Sequence, residues 1–305
     1  MKKNKLVSVV TVTLDRREDV IECVESYLKN SYKPIEIIVV DNNSKPPLKT
    51  WFPKKYPQVK LISEKKDTGA ALGRNIGLSY AKGDYVVFTD DDAYADRNMV
   101  KNLVMAFDKK PKAGIIQPLV YDKKEKDVLQ GAGHDINLTT GRIKAWGVGE
   151  KDEGQYNGIR EIPMSGCVWM VKREVFEKIG NYDENYFILY EDCDFSTRAR
   201  KVGFKVYCTS DAKTWHRSSY KKSTAHPFIT WLGITSPERA ERVARNKIIF
   251  MRKHASLFSF LFFFFILLPL YTLAHSIIVV SVGRFDVLKN YWRGLFSGIK
   301  YALVS

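Results

Sequence analysis

The 305-residue sequence predicts an α/β catalytic region with a mostly parallel sheet flanked by helices, followed by a C-terminal membrane-associated helical segment. Three observations predict it. Runs of β-branched residues alternate with segments whose apolar residues fall at helical spacing, the pattern of parallel α/β sheets. Two of those runs end directly in polar turns, Asp41-Asn42-Asn43-Ser44 and Asp90-Asp91-Asp92. One long uncharged apolar stretch lies between basic flanks near the C-terminus.

Leu6–Thr13 is β-branched and predicts the first strand. Arg17–Lys29 carries Val20, Ile21, Val24, Tyr27 and Leu28 at helical spacing. Ile35–Val40 and Val59–Ile62 predict the second and third strands. Thr68–Ala81 predicts a helix stopped by Lys82-Gly83-Asp84. Tyr85–Thr89 predicts a fourth strand running into the aspartates. The near-continuous apolar character of these strands implies that both sheet faces are covered. Ile115–Tyr121, Ile162–Val171 and Phe204–Cys208 predict further strands. Arg173–Ile179 and Glu191–Val202 predict helices closed by Gly180 and Gly203. Pro237–Arg252 predicts a basic helix leading into the apolar stretch.

The formal charge of +15 invites a nucleic-acid reading, but its distribution excludes it. Residues 1–212 are nearly balanced, whereas 213–254 and 284–305 carry net charges of +8 and +3. Between His254 and Gly283 there is no Asp, Glu, Lys or Arg. An apolar run longer than the ~20 residues a bilayer requires, with basic shoulders, predicts a membrane segment. Pro269 and His275 leave a kinked or re-entrant course open beside a spanning one. The tail from Arg284 carries Phe285, Leu288, Trp292 and Phe296 at helical spacing among basic residues, as an interfacial helix does. The N-terminus lacks the apolar length of a signal peptide, which predicts a cytoplasmic catalytic part held at the cell membrane. Cys23, Cys167, Cys193 and Cys208 show no zinc or redox spacing and predict reduced thiols. These features set boundaries of 1–236 for the catalytic region (halves 1–120 and 121–236), 237–254 for a linker helix, 255–283 for the apolar segment and 284–305 for the tail.

Three clusters carry chemistry. Asp90-Asp91-Asp92 at a strand end concentrates carboxylates that a hard divalent cation would neutralise. The competing reading is a solvated turn capping the helix near Asp96. Glu191-Asp192-Cys193-Asp194 opens a helix, where acids favour the dipole. Asp192 also follows the aromatic-rich Tyr182–Tyr190, which suits a general base in a pocket. His216, beside Trp215, becomes a metal ligand only where the fold carries it to the aspartates. No GxGxxG follows the first strand and no GxxxxGK[ST] occurs, against a dinucleotide oxidoreductase or P-loop NTPase.

Four segments in order resemble the inverting family 2 glycosyltransferases, including their rhamnosyltransferase-type and lipid-linked glycan members. They are VSVVTVTLDR (7–16), IEIIVVDNNS (35–44), TGAALGRNIGLSYAKGDYVVFTDDD (68–92) and SGCVWMVKREVFEKIGNYDENYFILYEDCDFSTRARKVGFKV (165–206). The resemblance covers about residues 6–255. It implies the GT-A (nucleotide-diphospho-sugar transferase) fold with its Rossmann-like sheet. It further implies a metal-dependent transferase that moves a sugar from a nucleotide-diphosphate donor to a hydroxyl of a glycan or polyprenol-linked acceptor. By this resemblance Thr13, Asp41 and Asn42 line the base pocket, and Arg74 lies near it or the diphosphate. Asp90 and Asp91 contact the ribose and the surroundings of the metal. Asp92 is the main ligand of Mg²⁺ or Mn²⁺, and His216 completes its shell. Asp192 is the base, Glu191 shapes the acceptor site, and Trp169 lines the acceptor or sugar pocket. Leu14-Asp15 stands where the family usually has Tyr-Asn, and Asn42 where many members have a second Asp. This leaves UDP-, dTDP- and GDP-sugars open as donors. A polyprenyl-phosphate sugar synthase and a nucleotidyltransferase are the alternative readings. Membrane lipids are expected partners and nucleic acid is not.

Overall fold

The computed structural model describes residues 5–217 and 232–304. They form two compact units, one of residues up to 135, 144–187 and 191–217, the other of 136–143, 188–190 and 232–304.

In the first unit the strands used below are β1 (Val7–Thr13), β2 (Ile35–Asp41), β3 (Lys60–Ser63), β4 (Tyr85–Asp90), β5 (Ala93–Ala95), β6 (Ala113–Asp122), β7 (Leu129–Gly131), β8 (Ile159–Glu161), β9 (Val168–Lys172) and β10 (Lys205–His216). The helices are α1 (Arg17–Leu28), α2 (Gly69–Tyr80), α3 (Met99–Lys109), α4 (Arg173–Ile179) and α5 (Glu191–Lys201). The sheet runs β8-β10-β6-β9-β4-β1-β2-β3, with β5 on β10 and β7 on β6. β1 pairs in parallel with β2 and β4, and β2 with β3, while β9 is antiparallel to both β4 and β6. Apolar residues cover both faces, as the continuous apolar strands require. Val20, Val24 and Tyr27 of α1 join Leu103 and Phe107 of α3 on one side. Ala71 and Leu78 of α2 join Phe176 and Phe195 of α4 and α5 on the other.

Register places the site. Thr13 stands opposite Asp41, and Val12 opposite Asp90, so three parallel strands end level at one edge. The strand expected over Ile162–Val171 starts only at Val168, because Cys167 takes a left-handed φ of 66° and breaks the extended run. The strand expected over Phe204–Cys208 instead continues as β10 to His216, through a register shift between Thr209 and Lys213. Its far end pairs with β5, and His216 lies opposite Ala93, the residue after Asp92. Ser210, Asp211 and Lys213 interrupt the apolar pattern beyond Cys208, so the longer strand carries no continuous apolar signal. All four cysteines are free thiols.

The second unit contains α6 (Pro237–His254), α7 (Leu257–Ser281) and α8 (Phe285–Val304). Ser236 caps α6 by accepting a hydrogen bond from the Arg239 amide. α8 packs along α6 in the same direction, with Gly294 and Gly298 facing the Glu241 and Arg245 carbonyls. A side chain at either glycine would strike that backbone. Val287, Tyr291 and Leu295 are thereby buried, so α8 has a packed face as well as exposed Phe285 and Phe296. α7 is long and apolar enough to cross a membrane, with a mean hydropathy of 2.3. Phe258, Phe265, Leu270 and Ile277 on it are exposed. A π-turn over Phe263–Leu267 precedes Pro269, whose missing N–H disturbs the helical ladder there. Lys221 and Lys222 of the basic block lie outside the described residues.

Candidate active site

The aspartate run turns at the end of β4, and each carboxylate meets its own set of partners. Thr13 at the end of β1 donates to Asp91 at 2.6 Å. Arg16, from the β1–α1 turn, donates to Asp92 at 2.5 Å and reaches Asp91 at 3.4 Å. Arg74 of α2 reaches Asp90 at 3.3 Å. His216 sets Nε2 2.9 Å from Asp92 and 3.9 Å from Asp90. Burial pushes Asp91 up to about 7 against the pull of Thr13 and Arg16, so the cluster does not carry three full charges at neutral pH. Burial also opposes ionisation of Asp92, but the hydrogen bond and charge of His216 and the charge of Arg16 outweigh it and hold it low. The same bond raises His216, again against burial.

These residues suit a divalent cation. Asp90, Cys167 and His216 offer three ligand atoms within 4.8 Å of one another, and Asp92 lies 2.9 Å from the His216 Nε2 of that group. Burial holds the Cys167 thiol protonated, and sulfur is a poor partner for Mg²⁺ or Mn²⁺. The oxygens of Asp90 and Asp92 with the His216 imidazole are the donors that fit. The hydrogen bond of 2.7 Å between His216 Nδ1 and Gln130 Oε1 has Nδ1 as donor, which directs Nε2 to the aspartates. Gln130 in turn donates to Asp122 and to the His216 carbonyl at 3.2 Å each. Gln130→Leu frees the ring and is expected to weaken Mn²⁺ affinity about 10- to 100-fold. Manganese-dependent thermal shifts of the two proteins check this.

Arg74 and Glu191 form a buried ion pair at 2.5 Å, with side chains 10% and 5% exposed. Trp169, expected to line a sugar pocket, is fully buried beneath that guanidinium, 4.8 Å from its centre, and donates to Tyr182 at 3.0 Å. It reaches the site only through Arg74, because β9 turns it into the core. Arg74 itself pairs with Asp90 and Glu191.

Asp41 and Asn42 are buried at the end of β2 and spend their polar atoms inside the protein. Asp41 accepts from the amides of Ser44 and Leu48 at 2.8 and 3.0 Å. Asn42 donates to Asp67 and the Gly69 carbonyl and accepts from Thr68. They therefore shape the turn and the start of α2, while Asp67, which the sequence reading passed over, carries the exposed carboxylate of that group.

Asp192 lies in the first turn of α5, where one oxygen accepts from the Cys193 amide at 2.8 Å. Burial raises its pKa, with the Asp90 charge adding and Arg74 opposing. Its other oxygen looks across Gly166. A methyl group added there would lie 3.6 Å from Asp192 Oδ2 and 3.0 Å from Cε1 of His134. His134 had no motif to announce it.

Comparison with known proteins follows this geometry. The model of the family described as "Glycosyl transferase family 2" matches residues 8–180. The dTDP-rhamnosyl transferase RfbF of Shigella flexneri is 28% identical over 273 residues, covering 87% of this chain and 86% of that protein. An N-acetylglucosaminyl-diphospho-decaprenol L-rhamnosyltransferase of Mycobacterium tuberculosis is 22% identical, covering 70% and 77%. Against glycosyltransferase GlyG of Streptococcus pneumoniae the match, 32% identical, spans 41% of this chain and 42% of that protein. Among solved structures, the mannosyltransferase PcManGT from Pyrobaculum calidifontis, in complex with GDP-Man and Mn²⁺, superposes with a TM-score of 0.58 at 17% identity, covering 99% and 87%.

Proposed function

The chain belongs to glycosyl transferase family 2 and has the GT-A fold, and we propose that it is a metal-dependent inverting glycosyltransferase with a nucleotide-diphosphate sugar as donor and a hydroxyl of a glycan or lipid-linked glycan as acceptor. The observation that carries this reading is one edge of the sheet. There Asp90, Asp92 and His216 form an oxygen-and-imidazole donor set, and half-buried Asp192 sets one carboxylate oxygen beside Gly166. A relative named for dTDP-rhamnosyl transfer and a neighbour bound to GDP-Man and Mn²⁺ support a nucleotide-sugar donor.

In this reading Asp90, Asp92 and His216 hold Mg²⁺ or Mn²⁺, which supplies Lewis-acid stabilisation of the charge that grows on the leaving diphosphate. Thr13 and Arg16 fix the aspartates from the β1 side. Arg74, neutralised by Glu191, keeps Asp90 pointed into the site. Asp192 accepts the proton of the acceptor hydroxyl as its oxygen attacks the anomeric carbon opposite the diphosphate. The bond to the diphosphate breaks as the new glycosidic bond forms. Asp67, which accepts from Asn42, contributes an exposed carboxylate beside that turn, a place from which a base edge is readable.

We further place the protein at the cell membrane, with α7 in the bilayer, the basic α6 at its surface and the catalytic part in the cytoplasm. The length and apolar character of α7 support this, as does the relative named for a decaprenol-linked acceptor.

The test is a panel of UDP-, dTDP- and GDP-sugars offered to the full-length protein in detergent, with Mn²⁺ or with a chelator. Donors of one base class are expected to raise the melting temperature and release nucleoside diphosphate only with the cation. Release of pyrophosphate, or binding indifferent to the cation, overturns the reading.

A further inference from the structure

We propose that His134 is an acceptor-positioning residue: its Nδ1 holds one hydroxyl of the acceptor sugar while Asp192 takes the proton from the neighbouring hydroxyl. The proposal rests on the glycosyltransferase reading of the site.

Nδ1 of His134 is fully buried and has no hydrogen-bond partner among the described residues. Buried side-chain nitrogens are nearly always bonded, so an open one beside a reactive carboxylate asks for an occupant. The backbone that carries the ring is held in place. The His134 amide donates to the Met164 carbonyl at 3.3 Å, tying it to the segment that leads into β9. The Gly166 amide in that segment donates to Gln117 at 3.1 Å. A methyl group on Gly166 would lie 3.5 Å from His134 Nδ1 and 3.6 Å from Asp192 Oδ2, so these two atoms are no more than about 7 Å apart. Hydrogen bonds of about 2.8 Å to neighbouring hydroxyls of one sugar span such a gap. Glycine keeps it open, since any side chain there would fill the space between ring and carboxylate.

The chemistry of the ring agrees. Burial pushes the imidazole down to about 4, and no carboxylate opposes this. At neutral pH His134 is therefore neutral, with one nitrogen able to accept a hydroxyl proton in a hydrogen bond. It takes up no proton in the reaction. The proton goes to Asp192, and His134 fixes which hydroxyl presents it.

Nitrogen-15 NMR of the histidine side chains, with the His134 signals identified by their loss in His134→Phe, reads the contact directly. The enzyme saturated with nucleoside diphosphate and diamagnetic Mg²⁺ is titrated with N-acetylglucosamine, glucose and rhamnose as probes. At least one sugar is expected to move the Nδ1 signal, and His134→Phe to weaken that sugar at least 10-fold as acceptor, in KM more than in kcat. His134→Asn, which returns a polar atom near Nδ1, should recover part of the loss. Gly166→Ala should block the sugar while the thermal shift with nucleotide is kept. An Nδ1 signal unmoved by every sugar, or a His134→Phe variant that loses nucleotide binding in step with acceptor binding, overturns the proposal. Failure of the glycosyltransferase reading looks different: wild-type protein then shows no cation-dependent binding of any sugar nucleotide.

Discussion

Asp192→Asn is expected to lower the transfer rate constant about 10²- to 10⁴-fold, the usual contribution of a positioned general base, with donor binding unchanged. The amide keeps the shape and the hydrogen bond from the Cys193 amide but cannot take a proton. A hydroxyl is a poor nucleophile until its proton has somewhere to go, and among the described residues Asp192, unlike Asp90, Asp92 and Glu191, has no salt bridge to a basic side chain. Asp90 is held by Arg74, Asp92 by Arg16 and His216, and Glu191 by Arg74. The pH profile supplies an independent check. Burial lifts Asp192 above the ordinary aspartate value of 3.8, so its proton is held more firmly than usual. The rate should therefore fall on the acid side as pH drops through that raised value, and this limb should vanish in the Asn variant. Single-turnover transfer rates and a donor thermal shift measure the two halves of the prediction. Near-normal turnover would remove Asp192 from the role.

Much of this site was legible in the sequence because its chemistry sits at strand ends. A buried strand can finish in three aspartates only where the sheet edge opens to solvent or ligand, and Asp90–Asp92 said so directly. The Glu191-Asp192 pair was marked by its place at a helix start. His216 was legible only as a conditional ligand. What brings it to Asp92 is the pairing of β10 with the three-residue β5, which has too few residues for a periodic signal. Asp41 and Asn42 were read from their types, but backbone amides and Thr68 consume their polar atoms, and sequence does not show saturation. Gln130 and His134 stand in segments without motifs, and Arg16 ends the first resembling segment with no role assigned to it, so only tertiary pairing gives these residues their places. Trp169, which the resemblance set in the acceptor or sugar pocket, lies buried under Arg74, and strand alternation alone does not say which face of β9 meets the core.

Removing Arg74 should produce the largest loss of stability in the catalytic unit. Its guanidinium is buried between Glu191 and Asp90 and over the Trp169 ring, and burial costs it less than these charges return. Breaking a buried pair by deleting one partner typically costs about 3–5 kcal/mol, because the other charge stays behind without compensation. Arg74→Ala leaves Glu191 in that position, with its second oxygen already lacking a hydrogen-bond partner among the described residues. At roughly 2–4 °C per kcal/mol for a unit of this size, the melting temperature should fall by about 10 °C. The double variant Arg74→Leu/Glu191→Leu should recover much of that loss, since apolar residues fill the space without an unpaired charge. Activity separates stability from function. Asp90 keeps His216 within 3.9 Å but loses its link to Arg74 in the double variant. The recovered protein should therefore melt near wild type and still turn over slowly. If instead the double variant recovers both, Arg74 serves the fold alone, and the orientation of Asp90 comes from the strand end that carries it.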